Sequence, residues 1–204
     1  MHIHLRDKNP AVVAAWKLIF RDTPDVEISQ GDIFGYGSSS ATKAGAIVSP
    51  ANSFGFMDGG IDMFYSLRWP QIQGDLQELL FTHYYGELPI GQAVILPTGE
   101  EEIPWLISAP TMRVPANIQG TVNAYLAFRA ALIAVLKHNK DNPFKQIESI
   151  LSPGMGTAVG QMDPKVSAIQ MCFAYKMVMK GEKLSFDDLT QGWDSHEFLR
   201  RGVM

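Results

Sequence analysis

Apolar and polar positions change period several times along this chain. Ile3 and Leu5 alternate with His2 and His4, the period-two pattern of a half-buried strand. After Asn9-Pro10 the period lengthens, and residues 11–20 read as a helix with proline in its first turn. Val26-Glu27-Ile28-Ser29 alternates again as a strand and runs into Gln30-Gly31-Asp32-Ile33. Ser38-Ser39-Ser40 marks a loop, and residues 46–48 form an apolar strand suited to a place covered on both faces. Residues 60–69 and 75–84 read as helices, the first stopped before Pro70. Residues 92–96 and 105–109 read as strands with Gly99 in the turn between them.

In the second half, Thr121 is placed to N-cap a long helix that buries Tyr125, Phe128, Leu132 and Leu136. Residues 148–151 form a short strand, followed by a glycine-rich loop over 152–160. Asp163-Pro164 combines an N-cap acid with proline at the first helical position. That helix carries Val166, Ile169, Phe173 and Met177 on one face. Past Gly181 the pattern reduces to a turn and a short amphipathic segment around Phe198.

Strands interleaved with crossover helices predict an α/β protein, a three-layer α/β/α sandwich on a mixed, largely parallel central sheet. Ligands of such sheets bind beyond the carboxyl ends of the strands. The glycine loops 53–60 and 154–160 both follow strands, so both fall on one sheet edge, where they can hold the two phosphates of a diphosphate. The 204 residues suit a single domain, with a core at about 26–180 and 181–204 as a C-terminal extension.

Composition narrows the ligand chemistry. A net charge of −4 leaves no basic face for non-specific nucleic-acid binding, so phosphate must be held mainly by backbone N–H groups and helix dipoles. The single cysteine, Cys172, excludes an internal disulfide and a multi-cysteine zinc site, and it reads as a small core residue. The first residues lack the apolar run of a signal peptide, and the apolar run 124–136 is interrupted by Arg129 and too short to span a bilayer. The expected setting is the cytoplasm, away from membranes. His2 and His4 share a strand face but have no third ligand nearby, which reads as an exposed strand edge rather than a metal site. The Gly154-x-Gly156-x-x-x-Gly160 spacing lacks the following strand and acid of a dinucleotide fold, and neither a P-loop nor a nucleophile elbow occurs.

The chemistry concentrates in four ordered elements, Gln30-Gly31-Asp32-Ile33, Ser49-Pro50-Ala51-Asn52, Gly59-Gly60-Ile61-Asp62 and Pro153-Gly154-Met155-Gly156-Thr157-Ala158-Val159-Gly160. Together they resemble the macro domain, the ADP-ribose-binding α/β/α module, over about residues 26–180. The resemblance implies that Asp32 and Ile33 meet adenine, with Asp32 accepting from the 6-amino group. Ser49, Ala51, Gly59, Gly60, Ile61, Gly154, Gly156, Thr157, Ala158, Val159 and Gly160 would line the diphosphate and distal ribose. Asn52 would bind the distal ribose hydroxyls and help place a water, and Asp62 would act as the base that activates it. The implied activity is hydrolysis of a substituent on ADP-ribose: a protein-linked mono-ADP-ribose ester, an O-acetyl ester or a 1''-phosphate, without metal or cofactor. A module that binds ADP-ribose, or an ADP-ribosylated protein, without turnover is the other reading. The chain departs from the family pattern at Ser49, where an asparagine is usual, at Pro50, at Ala158, in the acid Asp58, and in the absence of a histidine over 108–115. Arg113 is a candidate phosphate contact, and Phe54, Phe56 and Tyr65 are candidates for ring stacking.

Overall fold

The computed structural model describes residues 1–35 and 45–202; Ser38, Ser39 and Ser40 therefore lie outside the described residues. The elements in chain order are β1 (His2–Asp7), α1 (Pro10–Ile19), β2 (Val26–Gln30), β3 (Ala46–Ser49), α2 (Gly60–Arg68), α3 (Ile72–Tyr84), β4 (Val94–Pro97), β5 (Trp105–Ser108), α4 (Asn123–Asp141), β6 (Ser149–Ser152), α5 (Pro164–Met179) and α6 (Leu189–Arg201), with a short 3-10 turn at Ile33–Gly35. The six strands form one sheet in the order β2-β1-β6-β3-β5-β4. All neighbours run parallel except β4, which closes the edge antiparallel to β5. This is the mixed, largely parallel sheet that the alternation of strands and helices predicts.

Strand alternation divides the core into two. Ala46 and Val48 of β3 point into a cluster with Trp16 of α1, Phe128 of α4 and Tyr175 of α5. Ile47 points the other way, to Tyr65 of α2 and Ile72, Leu76 and Leu80 of α3. Each face of the sheet is thus covered by helices, giving three layers. Helix entries follow the capping chemistry: the Asn9 side chain accepts from the Ala11 N–H and Asp163 from those of Lys165 and Val166, each followed by proline.

Several elements differ from the sequence reading. β1 is an interior strand between β2 and β6, so His4 is buried rather than on a half-exposed face. Its Nδ1 lies 3.0 Å from Glu27 Oε2, and burial lowers its pKa despite that carboxylate. The pair His2 and His4 is accordingly not an exposed strand edge.

α3 begins at Ile72, ahead of the expected start, because Ile72 also enters the core. The N-cap position of α4 is Val122, not Thr121. The Thr121 hydroxyl donates to the Ile118 carbonyl, and the first-turn N–H of Tyr125 is taken by Oε1 of Gln170 on α5 at 3.0 Å. Leu136 remains 42% exposed, beyond the buried stripe of Tyr125, Phe128 and Leu132.

On α5 the deepest face is Ala168, Met171, Cys172, Ala174 and Tyr175. The expected stripe instead forms the half-buried flank on which α6 lies, with Phe198 against Phe173. The segment around Phe198 is a 13-residue helix, with Leu199 as its buried anchor. Among the described residues, no helix is long and apolar enough to cross a membrane.

Candidate functional site

A cavity of about 480 Å³ opens at the carboxyl ends of the strands. Its wall follows the sheet order. Asp32 and Ile33 come after β2, Asp7 closes β1, Gly154 to Gly160 follow β6, Ala51 and Asn52 follow β3, and Thr111 and Met112 follow β5. Adjacent strands lie about 4.8 Å apart, so the cleft from the β2 end to the β3 end is on the order of 15 Å long. Of the sequence-predicted ligand residues, Asp32, Ile33, Ala51, Gly59, Gly60, Ile61, Gly154, Gly156, Thr157, Ala158, Val159 and Gly160 all line it, as do Asn52 and Asp62.

The two glycine loops face each other across the cleft. A Cβ built on Gly60, which has φ +59, would lie 3.8 Å from Val159 Cγ2. Gly60 opens α2 with no side-chain cap, so the first-turn N–H groups of this helix keep their positive end for a ligand. Among the described residues, the N–H groups of residues 58–62 and of residues 156–160 find no protein acceptor. At Gly154 the N–H is instead taken by Asp7 Oδ2 at 3.0 Å, which ties the end of β1 to the second loop. A Cβ on Gly160 would lie 2.6 Å from the Gly156 carbonyl oxygen, so this turn closes only around glycine. After Ala158 the loop turns back on itself, the Gln161 N–H donating to the Ala158 carbonyl at 3.0 Å.

At the β2 end, Asp32 lies 2.6 Å from Lys8 Nζ and accepts from the Phe34 N–H at 3.0 Å. Lys8, then the Phe34 N–H, hold its carboxyl below the usual carboxylate range. Arg6 Nε donates to the Asp32 carbonyl at 2.7 Å. The adjacent Ile33 N–H has no protein acceptor among the described residues. Arg6, Asp7 and Lys8 were not singled out in the sequence. They reach the site because β1 pairs in register with β2, Asp7 opposite Gln30, and only that pairing would have revealed them.

At the β3 end, Asn52 faces the cavity with its carboxamide already engaged. Nδ2 donates to the Phe56 carbonyl at 2.7 Å, and Oδ1 accepts from the N–H groups of Phe54 and Phe56. One Nδ2 hydrogen remains for a ligand. Phe56, 53% exposed, stands at the rim. Asp62 is 7% exposed at the cavity wall. Burial pushes its carboxyl up to about 7, opposed by a hydrogen bond from the Ser49 hydroxyl at 2.7 Å. Ser49 itself is fully buried behind Asp62 and does not reach the wall, contrary to the expectation that it contacts ligand.

Other candidates fall away. Arg113 is bound by Glu87, 2.6 Å from Nε, and packs over Phe54 away from the cleft. Tyr65 is buried with its hydroxyl donating to the Val48 carbonyl, and burial raises its pKa further. Asp58 does line the cavity, and it is solvent-exposed. Cys172 is buried in the helical layer, where burial raises its pKa.

The fold and this cleft define the chain's class: it has the macro-domain fold. The macrodomain of Mycobacterium tuberculosis DarG superposes with a TM-score of 0.53 at 21% identity, over 73% of this chain and 88% of that one. Thermosipho africanus DarTG, described in complex with ADP-ribose, superposes with a TM-score of 0.55 at 13% identity, over 87% of this chain and 50% of its own. In sequence, a protein of Aquifex aeolicus described only as uncharacterized is 32% identical over 136 residues, 66% of this chain and 74% of that protein. The chain belongs to one family with this Aquifex protein. No protein-family model matches the sequence.

Proposed function

We propose that this chain binds ADP-ribose across the strand ends and hydrolyses a substituent on its distal ribose. The observation that carries the reading is the pair of facing loops whose N–H groups at 58–62 and 156–160 have no protein acceptor among the described residues. Such groups can bind a diphosphate with few positive side chains, in keeping with a net charge of −4. At the β2 end, the Asp32 carboxylate and the Ile33 N–H supply an acceptor beside a donor, which complements the 6-amino group and N1 of adenine. A structural neighbour, Thermosipho africanus DarTG, is described in complex with ADP-ribose, which supports the choice of ligand.

The distal ribose then falls at the β3 end, beside Asp62. A carboxyl poised near pH 7 suits general base catalysis at neutral pH. A water at this end attacks the acyl carbon or the phosphorus of the substituent, and the bond from that atom to the ribose oxygen breaks. Asp62 takes the proton from that water and returns it to the departing oxygen. An ester or a terminal phosphate fits this scheme. A binding module without turnover is the second reading, favoured by the Asn52 carboxamide being held by its own turn.

The test is calorimetric titration with ADP-ribose, ADP and NAD, followed by turnover assays with each ester and phosphate derivative. Wild type should bind ADP-ribose with micromolar affinity and prefer it to the others. Asp62→Asn should keep that affinity and lose turnover. Tight binding without turnover in the wild type would establish the second reading. No binding at millimolar ligand would refute both.

A further inference from the structure

We infer that Ser49 is the positioning residue for Asp62, fixing which carboxylate oxygen is offered to the cleft. The inference rests on the proposed role of Asp62 and adds the group that controls it. Ser49 ends β3, on the same strand face as Ile47, and so points to the α2 side of the sheet. Asp62 meets it from the first turn of α2, and the Ser49 hydroxyl donates to Oδ1 at 2.7 Å. Oδ2 takes no protein hydrogen bond among the described residues, yet no buried side-chain oxygen is left without a partner. Oδ2 is therefore the atom open to the cleft, and Oδ1 is the atom held behind it.

A hydroxyl in this place does two things. It stops the carboxylate from rotating, so a water approaching the cavity wall always meets the same oxygen. It also stabilises the ionised form, against burial that favours the protonated one. Among the described residues no other side chain donates to Asp62, and its place in the first turn of α2 adds only the weaker stabilisation of the helix dipole. On α2 the nearest titratable neighbour is the buried Tyr65 phenol, whose proton is committed to the Val48 carbonyl. From the loop before α2 comes the acid Asp58, and across the cleft stand Asp7 and Asp32. Among the described residues, the cationic side chains lining the cleft are Arg6 and Lys8, both engaged at the Asp32 end. An asparagine, the usual residue of the family pattern, carries an amide here instead of a hydroxyl.

The experiment is a carboxyl 13C NMR titration of the full chain, with the Asp62 signal assigned by its loss in Asp62→Asn. In wild type the Asp62 signal should titrate near neutral pH. Loss of a hydrogen bond to a charged group should move that midpoint up by roughly one to two pH units in Ser49→Ala. Ser49→Cys, which keeps a weaker donor of similar size, should fall between the two and covers a failure of Ser49→Ala to fold. An unmoved midpoint in the folded variants would overturn the inference, whatever the turnover. The pH–rate profile is recorded beside it. If its acidic limb moves with the midpoint, both Ser49 and Asp62 keep their assigned roles. If the midpoint moves and the limb does not, the role of Ser49 stands and the proposed base is wrong.

Discussion

Asp62 occupies a place that helix periodicity reserves for an apolar side chain, one turn before the buried Tyr65 and two before the buried Trp69. Its carboxyl holds a proton up to about pH 7 in the folded protein and releases it near 3.8 when unfolded. Between those values the native state binds more protons, so unfolding free energy falls as pH rises and levels off above pH 7. Between pH 5 and pH 8 wild type should lose about 3 kcal/mol relative to Asp62→Asn, as read from urea unfolding of both proteins. Parallel pH curves for the two would show that Asp62 titrates normally. The acid itself was legible in the sequence, because it follows a glycine pair at a helix start. Its partner's role was not, since residues 49 and 62 meet only once α2 packs on β3. Arg6, Asp7 and Lys8 escaped notice for a similar reason: their tie to Asp32 is made by sheet register.

Among the helices, Gln170 of α5 is the joint. It is fully buried; its Oε1 accepts from the Tyr125 N–H, and its Nε2 donates to the carbonyls of Thr121 and Leu199. One side chain thereby satisfies the start of α4 and the end of α6. Gln170→Leu leaves these backbone groups without their partner. It should cost roughly 3 kcal/mol in urea unfolding and loosen α6 first, seen as faster amide exchange over 189–201. The cap at Asp163 and the proline starts of α1 and α5 could be read from local chemistry, and they were. The start of α4 could be read only in part: the Thr121 hydroxyl accepts from the Asn123 N–H at 3.3 Å, but the Tyr125 N–H is taken by Gln170 of another helix. The buried face of α5 was misjudged because α6 covers the Val166–Phe173 flank and leaves it only half-buried. A helix covered on two sides shows no single apolar stripe.

Across the whole molecule, the binding cleft follows from strand order, since each wall segment is the loop that leaves the carboxyl end of a parallel strand. On the proposed function, its capacity for phosphate lies in backbone N–H groups that have no protein acceptor among the described residues. Amide exchange at 58–62 and 156–160 should therefore slow on addition of ADP-ribose, while the interior strands β1, β6 and β3 stay unchanged. Protection confined to other segments would place the ligand elsewhere. The α/β class and the common edge of the two loops were visible from alternation and glycine spacing. The interior place of β1 was not, because its neighbour β6 is distant in sequence, His2 pairing opposite Ser149.

That neighbour has a consequence for how the cleft comes into being. The carboxylate of Asp7 closes on the Gly154 N–H, 147 residues later, and β1 can complete its pairing only once β6 exists. During synthesis the first strand therefore leaves the ribosome long before its partner. The loop after β2 and the glycine turn before α2 can form early, but they face an empty side until 149–160 has emerged. Contacts of this span also slow refolding from denaturant, because a long loop must close before they yield any stabilisation. On the proposed function, ligand affinity therefore needs residues 149–160 in place, and ADP-ribose can act only on chains in which β1 has already met β6.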